Sequence, residues 1–435
     1  MPTIAFTSVG CKLNRYEIQL MSERLAPHGF QTVPFNQPAD CYVVNTCTVT
    51  SDADLSSRQL IRRARRRSPQ AKIVVTGCYA QLRPEAIAEL RIDRIISNRD
   101  KDRLPEAVLS LFSIPMDMLR DQSVRDSDSI ISGMDGMTRA FVKIQDGCDE
   151  QCAFCAIWSA RGPVQSRPGS SIIREINALS ENNFKEIVLT GVHIGKYSND
   201  GFDLEGLLER LLEETSIERI RLSSLNPTEI SDKMVRILAS NSRLCPHTHL
   251  SAQSGDDEVL RVMGRRYGRD DIVDAIRRLT LAVPSITIGA DFIVGFPGET
   301  DRNYENTFRL VDENAFHHLH VFPYSDRPGT MAEFMGDKIP HEIKEHRAER
   351  LRRLGRDKKM KHMARFIGLP LHVLVEKRVA ATETSLTGLS ENYLRVNISG
   401  PAMLKGSIVK VIPENIIDGK LTAIVKINAS YAKSS

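Results

Sequence analysis

Over residues 1–112, short apolar runs alternate with amphipathic stretches. "TIAFTSVG", "CYVVNT" and "AKIVVTG" are rich in β-branched residues and predict strands, with "RIIS" a shorter fourth. "NRYEIQLMSERLAPHG" has helical spacing and stops at Gly29, and an Arg-rich helical segment separates the second and third strands. The alternation predicts an N-terminal doubly wound parallel α/β domain. Residues 113–138 lose periodicity and are rich in Asp and Ser, which predicts a linker. A second series then runs through "RAFVKIQDG", "EIVLTGV", "RIRLSS", "HTHLSA", "ITIGADFIVGF" and "HHLHVFPYS", with helical patterns between. Six such units over 139–365 suit a parallel (β/α) partial barrel better than a flat sheet. That region closes with one basic helix from Pro340 to about Arg365. Residues 366–435 hold "LHVLVEKRV", "NYLRVNI", "SIVKVI" and "LTAIVKI", short alternating strands that predict a small antiparallel β-barrel.

Composition adds constraints. The 435 residues are 41% hydrophobic and 26% charged, an ordinary globular balance that suits two to four domains. No apolar run reaches the roughly 20 residues that a membrane span needs, and the start does not read as a signal peptide. A cytoplasmic location with no membrane partner is therefore expected, and there thiols stay reduced for metals or catalysis. The net charge of +4 is small, so any nucleic-acid footprint must come from clusters. Two stand out, Arg58 to Ser68 and Lys344 to Arg365. Arginine and lysine there would neutralise phosphates, and Tyr393 in the tail suits either base stacking or a place in the core of the tail barrel.

The eight cysteines are informative by position. Cys148, Cys152 and Cys155 form a C-x3-C-x2-C loop after a predicted strand. Cys11, Cys47 and Cys78 each follow the C-terminal end of a predicted parallel strand, where ligand sites of open α/β sheets form. Soft thiolates select zinc or iron–sulfur clusters. Structural zinc usually closes with four ligands, often as paired C-x2-C units, and no second C-x2-C exists. Three thiolates with one open position suit a [4Fe–4S] cluster that leaves one iron free. Cys41 and Cys245 read as buried small hydrophobes. "HTH" and "HHLH" read as barrel filling or pocket lining before metal binding.

These residues resemble a known family. The C-x3-C-x2-C loop opening a βα barrel is similar to that of the radical S-adenosylmethionine (SAM) enzymes. "GCKLNRYE", "VNTCTVT", "VTGCYAQ", "CAFCAIWSARGPVQSR", "LTGVHIGKY", "RLSSLNP", "HTHLSAQSGDDEVLRVMGRRY", "DFIVGFPGET" and "YSDRPGT", in that order, resemble the methylthiotransferases over essentially the whole chain. Where family members often carry Pro and an aromatic before "ARG", this chain has Trp158 and Ser159.

The resemblance implies two [4Fe–4S] clusters, one on Cys148, Cys152 and Cys155 and an auxiliary one on Cys11, Cys47 and Cys78. It implies SAM at the open iron, used both for radical generation and as methyl donor, with cofactor contacts from Thr190, Gly191, Ser223 and Gln253. No catalytic side chain is expected beyond the cluster ligands. It implies a TRAM-like RNA-binding tail, a tRNA anticodon loop as partner, and an electron-donor protein. "GCKLNRYE" is most similar to the branch acting on C2 of N6-threonylcarbamoyladenosine at position 37 of tRNA. Alternatives are the isopentenyladenosine branch and the branch acting on a ribosomal-protein aspartate. A rival from another class is a zinc-stabilised RNA-binding protein without catalysis.

Overall fold

The computed structural model describes residues 1–114, 130–378 and 385–425. The N-terminal unit comprises β1 (Thr3–Ser8), α1 (Lys12–Leu25), β2 (Gln31–Thr32), β3 (Cys41–Thr46), α2 (Ser51–Arg67), β4 (Lys72–Gly77) and β5 (Arg94–Ile95), with further short helices. Its strands form one parallel sheet in the order β2-β1-β3-β4-β5. Alternation along the strands explains the two covered faces. Ile4, Cys41, Val43 and Val74 share one apolar cluster with Leu25 of α1, whereas Ala5, Tyr42, Val44 and Val75 share another with Ile61 of α2. Thr50 caps α2 by accepting from the Ala53 N–H, and Arg65, Arg66 and Arg67 sit in its last turn, opposite the negative end of the helix dipole.

The second unit is built on β6 (Arg139–Lys143), β7 (Glu186–Thr190), β8 (Arg219–Leu222), β9 (Ser224–Leu225), β10 (His247–Gln253), β11 (Thr287–Val294) and β12 (His318–Pro323). They form parallel ladders β8-β7-β6 and β9-β10-β11-β12. The first four residues of "RIRLSS" form β8 and its last, Ser224, opens β9, two consecutive pieces of one wall, and Ile220 bridges to Leu244. The result is a six-unit partial barrel. Ile131 and Met134, from the stretch expected to link the two units, are buried in its core. Residues 115–129 of that stretch lie outside the described residues.

The long basic helix spans His341–Ala364. After it come strands Leu371–Arg378, Ser385–Ser390, Arg395–Ser399, Ile408–Val411, Asn415–Ile417 and Lys420–Ile424, joined in one six-stranded sheet around a single apolar core. The pairing is antiparallel except between Arg395–Ser399 and Lys420–Ile424, where Val396 lies opposite Leu421 in parallel register. Residues 379–384 and 426–435 of the expected tail domain lie outside the described residues.

This sheet docks on the N-terminal ends of the barrel strands. Arg139 pairs with Glu376 at 2.8 Å, Arg219 donates to the His372 carbonyl at 2.7 Å, and Arg221 donates to the Glu391 and Ser390 carbonyls. Arg221 is buried and held by the equally buried Glu186 at 2.7 Å. Removing one partner of such a pair strands the other charge, at a cost of about 3–5 kcal/mol. No helix among the described residues is long and apolar enough to cross a membrane.

Candidate metal and cofactor centre

β1, β3 and β4 are adjacent in the sheet, so the loops that leave their C-terminal ends are neighbours. Cys11 and Cys47 lie in those loops and Cys78 opens the short helix directly after β4, and the order reverses between β1 and β3, the place where open α/β sheets form ligand sites. The approach is close. Gly10 has φ +91°, and a Cβ there would lie 2.5 Å from the Cys47 Sγ. Cys47 and Cys78 are buried, whereas Cys11 is exposed. Burial pushes the Cys47 thiol up to about 12, with ionised Cys11 and Cys78 adding to the rise and Arg161 opposing it. The Asn98 amide N–H reaches the Cys78 Sγ at 3.7 Å and also donates to the Ala160 carbonyl in the barrel unit.

The second trio sits at the C-terminal end of β6. Gly147, at φ +73°, lets the chain turn where a Cβ would meet the Pro163 carbonyl oxygen at 1.9 Å. The Cys155 N–H donates to the Cys152 carbonyl at 3.0 Å, which tightens the loop, and burial pushes the Cys155 thiol up to about 12. Donors point at these sulfurs. Arg265 reaches the Cys152 Sγ at 3.0 Å, and the Ile157 N–H reaches the Cys155 Sγ at 3.4 Å. The Trp158 N–H also acts on Cys155, so its backbone has a role at the loop.

A polar chain that sequence reasoning did not single out supports this loop. The His193 Nδ1 lies 3.8 Å from the Cys148 Sγ, its Nε2 bonds Glu229, and Asn226 links His193 to Arg265. Burial works against a charged His193, but the hydrogen bonds to Cys148 and Glu229 outweigh it and raise the imidazole to about 9. In hindsight "VHIGKY" and "SLNPTE" held the signal, polar residues just past two barrel strands.

In each trio the donor set is soft and threefold, with hydrogen-bond donors around it to offset thiolate charge. That chemistry fits an iron–sulfur cluster with an open corner. Protons on the buried thiols must leave as metal binds.

Two ion-pair clusters hold the trios toward each other. Arg161, just beyond the barrel loop, pairs with Glu17 of α1 at 2.8 Å and donates to Asn14 at 2.8 Å. Burial opposes charge on Glu17, yet Arg161, Lys101 and Lys143 hold its carboxyl well below the usual range. Arg327, in "YSDRPGT", pairs with Asp54 of α2 at 2.9 Å and also bonds Ser51. Between the units lies a cavity of about 220 Å³. Its wall includes Thr48 and Val49, next to Cys47, and Phe154 and Cys155 from the other trio.

The expected SAM contacts are spread around the second trio. Thr190 and Ser223 are buried at neighbouring strand ends, where the Ser223 N–H donates to the Leu189 carbonyl at 3.2 Å. Gly191 packs so tightly that a Cβ would meet the Gln145 backbone and side-chain oxygens at 2.8 Å. Gln253 has φ +63° and lines the 220 Å³ cavity.

The contacts also decide among the readings of the candidate RNA-binding residues. Tyr393 is no free stacking platform: it stacks on His247 at 4.1 Å and lies beneath Arg221, because the tail sheet docks there. Much of the Lys344–Arg365 charge is structural. Arg347 is buried against Glu299 at 2.7 Å and Arg350 lies 3.9 Å from the Phe308 ring, leaving Arg353, Arg356, Lys361 and Arg365 exposed. On α2, Arg65 binds the Pro69 and Ala71 carbonyls, and Arg62, Arg63 and Arg66 face solvent.

Comparison with known proteins agrees with this geometry. Residues 142–311 match the Radical SAM superfamily, and residues 3–97 match the uncharacterized protein family UPF0004. A threonylcarbamoyladenosine tRNA methylthiotransferase of Aquifex aeolicus is 35% identical over 94% of this chain and 99% of its own length. The Bacillus subtilis protein of the same name is 35% identical over 94% and 93%. A tRNA-2-methylthio-N(6)-dimethylallyladenosine synthase of Staphylococcus haemolyticus is 31% identical over 94% and 82%. Among solved structures, the radical SAM methyltransferase TsrM of Kitasatospora setae, with cobalamin and a [4Fe–4S] cluster bound, aligns with TM-score 0.55 and 14% identity over 76% and 77% of the two chains, a likeness of fold.

Proposed function

Since the chain belongs to the radical SAM tRNA methylthiotransferases, we propose that it methylthiolates C2 of N6-threonylcarbamoyladenosine at position 37 of tRNA. As a member of that family it uses SAM and [4Fe–4S] clusters. The observation that carries the proposal is the cavity with one trio's Cys155 and the Thr48–Val49 neighbours of the other trio's Cys47 in a single wall. A base held there meets both centres at once.

The roles follow from position. Cys148, Cys152 and Cys155 would hold the cluster with the open iron, and Cys11, Cys47 and Cys78 the auxiliary cluster. When bound, the clusters and SAM supply the one-electron chemistry and the methylthio group that an unactivated C–H bond requires. Thr190, Gly191, Ser223 and Gln253 would orient SAM beside the first cluster. Gly191 lets its strand end pack directly against Gln145, which fixes the backbone beside Thr190. Phe154 and Ile157, in the cavity wall, exclude water from the reacting face. Position 37 lies in a stacked loop, so the base must be turned out to reach this depth. Arg62, Arg63 and Arg66 on α2 and Arg353 and Lys361 on the long helix are exposed charges available to phosphates. An electron-donor protein would reduce the first cluster, and the tRNA substrate implies a cytoplasmic enzyme.

The test is product formation in vitro with reductant and SAM. tRNA carrying the threonylcarbamoyl group should give the 2-methylthio nucleoside by mass spectrometry. Product on dimethylallyl-bearing tRNA or on a ribosomal protein instead would reject the proposal, as would a colourless, zinc-containing protein after anaerobic reconstitution with iron and sulfide.

A further inference from the structure

The segments "HTH" and "HHLH" hold a cluster that neither trio uses. Some of their imidazoles only pack: His247 stacks on Tyr393 at 4.1 Å, and His317 stacks on His362 at 3.7 Å. His249 on β10 and His320 on β12 differ, because both reach Asp291 on β11, the strand between them.

Register explains the convergence. Asp291 lies opposite His320, and His249 lies opposite Gly289, two residues before Asp291 and so on the same face. A Cβ built on Gly289 would lie 2.5 Å from the His249 Nδ1. The imidazole thus occupies space that any other residue at 289 would fill, and from there its Nε2 reaches the carboxylate. Glycine inside a strand commonly marks such a close approach.

The donor geometry suits a metal ion. The His249 Nε2 lies 2.9 Å and the His320 Nδ1 3.0 Å from one atom, the Asp291 Oδ1, and all three lie within 4.8 Å of one another. Metal bonds of about 2.0–2.2 Å that meet at right angles put neighbouring donors about 3 Å apart. Both separations match that spacing. The His320 Nε2 lies 2.9 Å from the His318 Nε2. A metal-bound imidazole almost always gives its other N–H to a partner, and His318 stands where that partner belongs. Asp291 lines the 220 Å³ cavity and His320 is exposed, so an ion has an entry path.

Hydrogen bonding alone is the rival, since two neutral imidazoles donating to one carboxylate give the same distances. It leaves the carboxylate lopsided: both nitrogens crowd Oδ1, while no hydrogen bond reaches Oδ2 among the described residues. A carboxylate that ligates through one oxygen has this pattern.

We propose that the His249 Nε2, Asp291 Oδ1 and His320 Nδ1 form a site for one divalent first-row transition-metal ion, separate from both cysteine trios, with His318 as the outer hydrogen-bond partner of His320. Two imidazoles and a carboxylate suit zinc or ferrous iron better than magnesium or calcium. Three protein donors leave the remaining positions for water or an oxygen-donor ligand. The site stands independently of the function proposed above and needs neither tRNA nor SAM.

The test uses cluster-loaded enzyme alone, dialysed anaerobically against zinc, which outcompetes ferrous iron at such donors. Zinc and iron are counted in the same sample by elemental mass spectrometry. The parent should hold about one zinc beside about eight irons, the content of two clusters. Asp291→Asn and His320→Gln should each lose the zinc and keep the iron, which also reports that the variants fold. His318→Gln should bind zinc about 10–100-fold more weakly, the usual cost of losing an outer partner. Gly289→Ala keeps every donor but displaces the His249 ring, and it should weaken zinc as well. Thermal melting gives a second reading: zinc should raise the Tm of the parent, since a ligand of the native state stabilises it by mass action, and should leave His320→Gln unmoved. A parent with no zinc beside its irons would overturn the inference, as would zinc retained in both Asp291→Asn and His320→Gln. Zinc gained only as iron is lost would also overturn it, because the ion would then sit on the cluster cysteines.

Discussion

In the barrel, Cys148, Cys152 and Cys155 share one loop, whereas Cys11, Cys47 and Cys78 come from three strand ends that meet through the pairing of β1, β3 and β4. The first arrangement is set locally: a turn at Gly147 and a Cys155-to-Cys152 backbone bond place the thiols. The second depends on sheet register and on neighbours from the other unit, Arg161 and the Asn98–Ala160 bond among them. A local site tolerates change elsewhere in the fold. An assembled one is sensitive to whatever shifts a strand end or the contact between units.

The largest expected effect separates the two trios by function. Cys152→Ala should abolish 5′-deoxyadenosine formation, measured by liquid chromatography. Cys47→Ala should keep SAM cleavage and lose all methylthio product. Equal loss of both activities in the two variants would erase the distinction drawn here.

A smaller perturbation sharpens it. Gly10→Ala puts a methyl group 2.5 Å from the Cys47 Sγ at a φ of +91°, so the assembled trio must shift. The variant should lose about four of about eight irons, the content of one cluster, while SAM cleavage survives. Colorimetric iron analysis checks this, and full iron content with full product would mean that Gly10 does not shape the site.

Arg265→Met probes the layer around the local trio. It removes the N–H that lies 3.0 Å from the Cys152 Sγ. Loss of an outer hydrogen bond usually costs about 10–100-fold in metal affinity or activity. A fall of that size in SAM cleavage, with a lower cluster potential by EPR-monitored titration, is expected. An unchanged potential would make the contact merely structural.

The smallest effect concerns neither trio. Replacing Arg62, Arg63 and Arg66 together by alanine should weaken tRNA binding and reduce the slope of log K against log salt by about 2–3. Iron content and SAM cleavage without tRNA should not change. An unaltered slope would move the RNA path to another face.

The same contrast explains what could be read before folding. Alternation of "CYVVNT" and "KIVVTG" with helical stretches gave away the parallel sheet, because strands covered on both faces are continuous apolar runs. The barrel strands were equally plain. Ser385–Ser390 and Asn415–Ile417 were not: the first mixes Ser, Thr and Gly with two Leu and reads as a loop until two neighbouring strands flank and bury it, and the second is only three residues long. Within the site, close spacing exposed Cys148, Cys152 and Cys155, and strand ends exposed Cys11, Cys47 and Cys78. The Glu229–His193–Asn226–Arg265 chain was hidden because its members come from three separate stretches, two strand ends and the segment after a helix, that meet only in the folded barrel. The sequence left Tyr393 open between a nucleobase platform and a packing role, and the docking of one unit on another decides for packing against His247.

Iron and sulfide counts in the reconstituted parent and in a Cys11/Cys47/Cys78→Ala variant test the central claim most directly. Two thiol trios that each hold a [4Fe–4S] cluster predict about eight irons in the parent and about four in the variant, with the remaining four still supporting SAM cleavage. A parent with four irons, or a triple variant that keeps eight, would contradict the account.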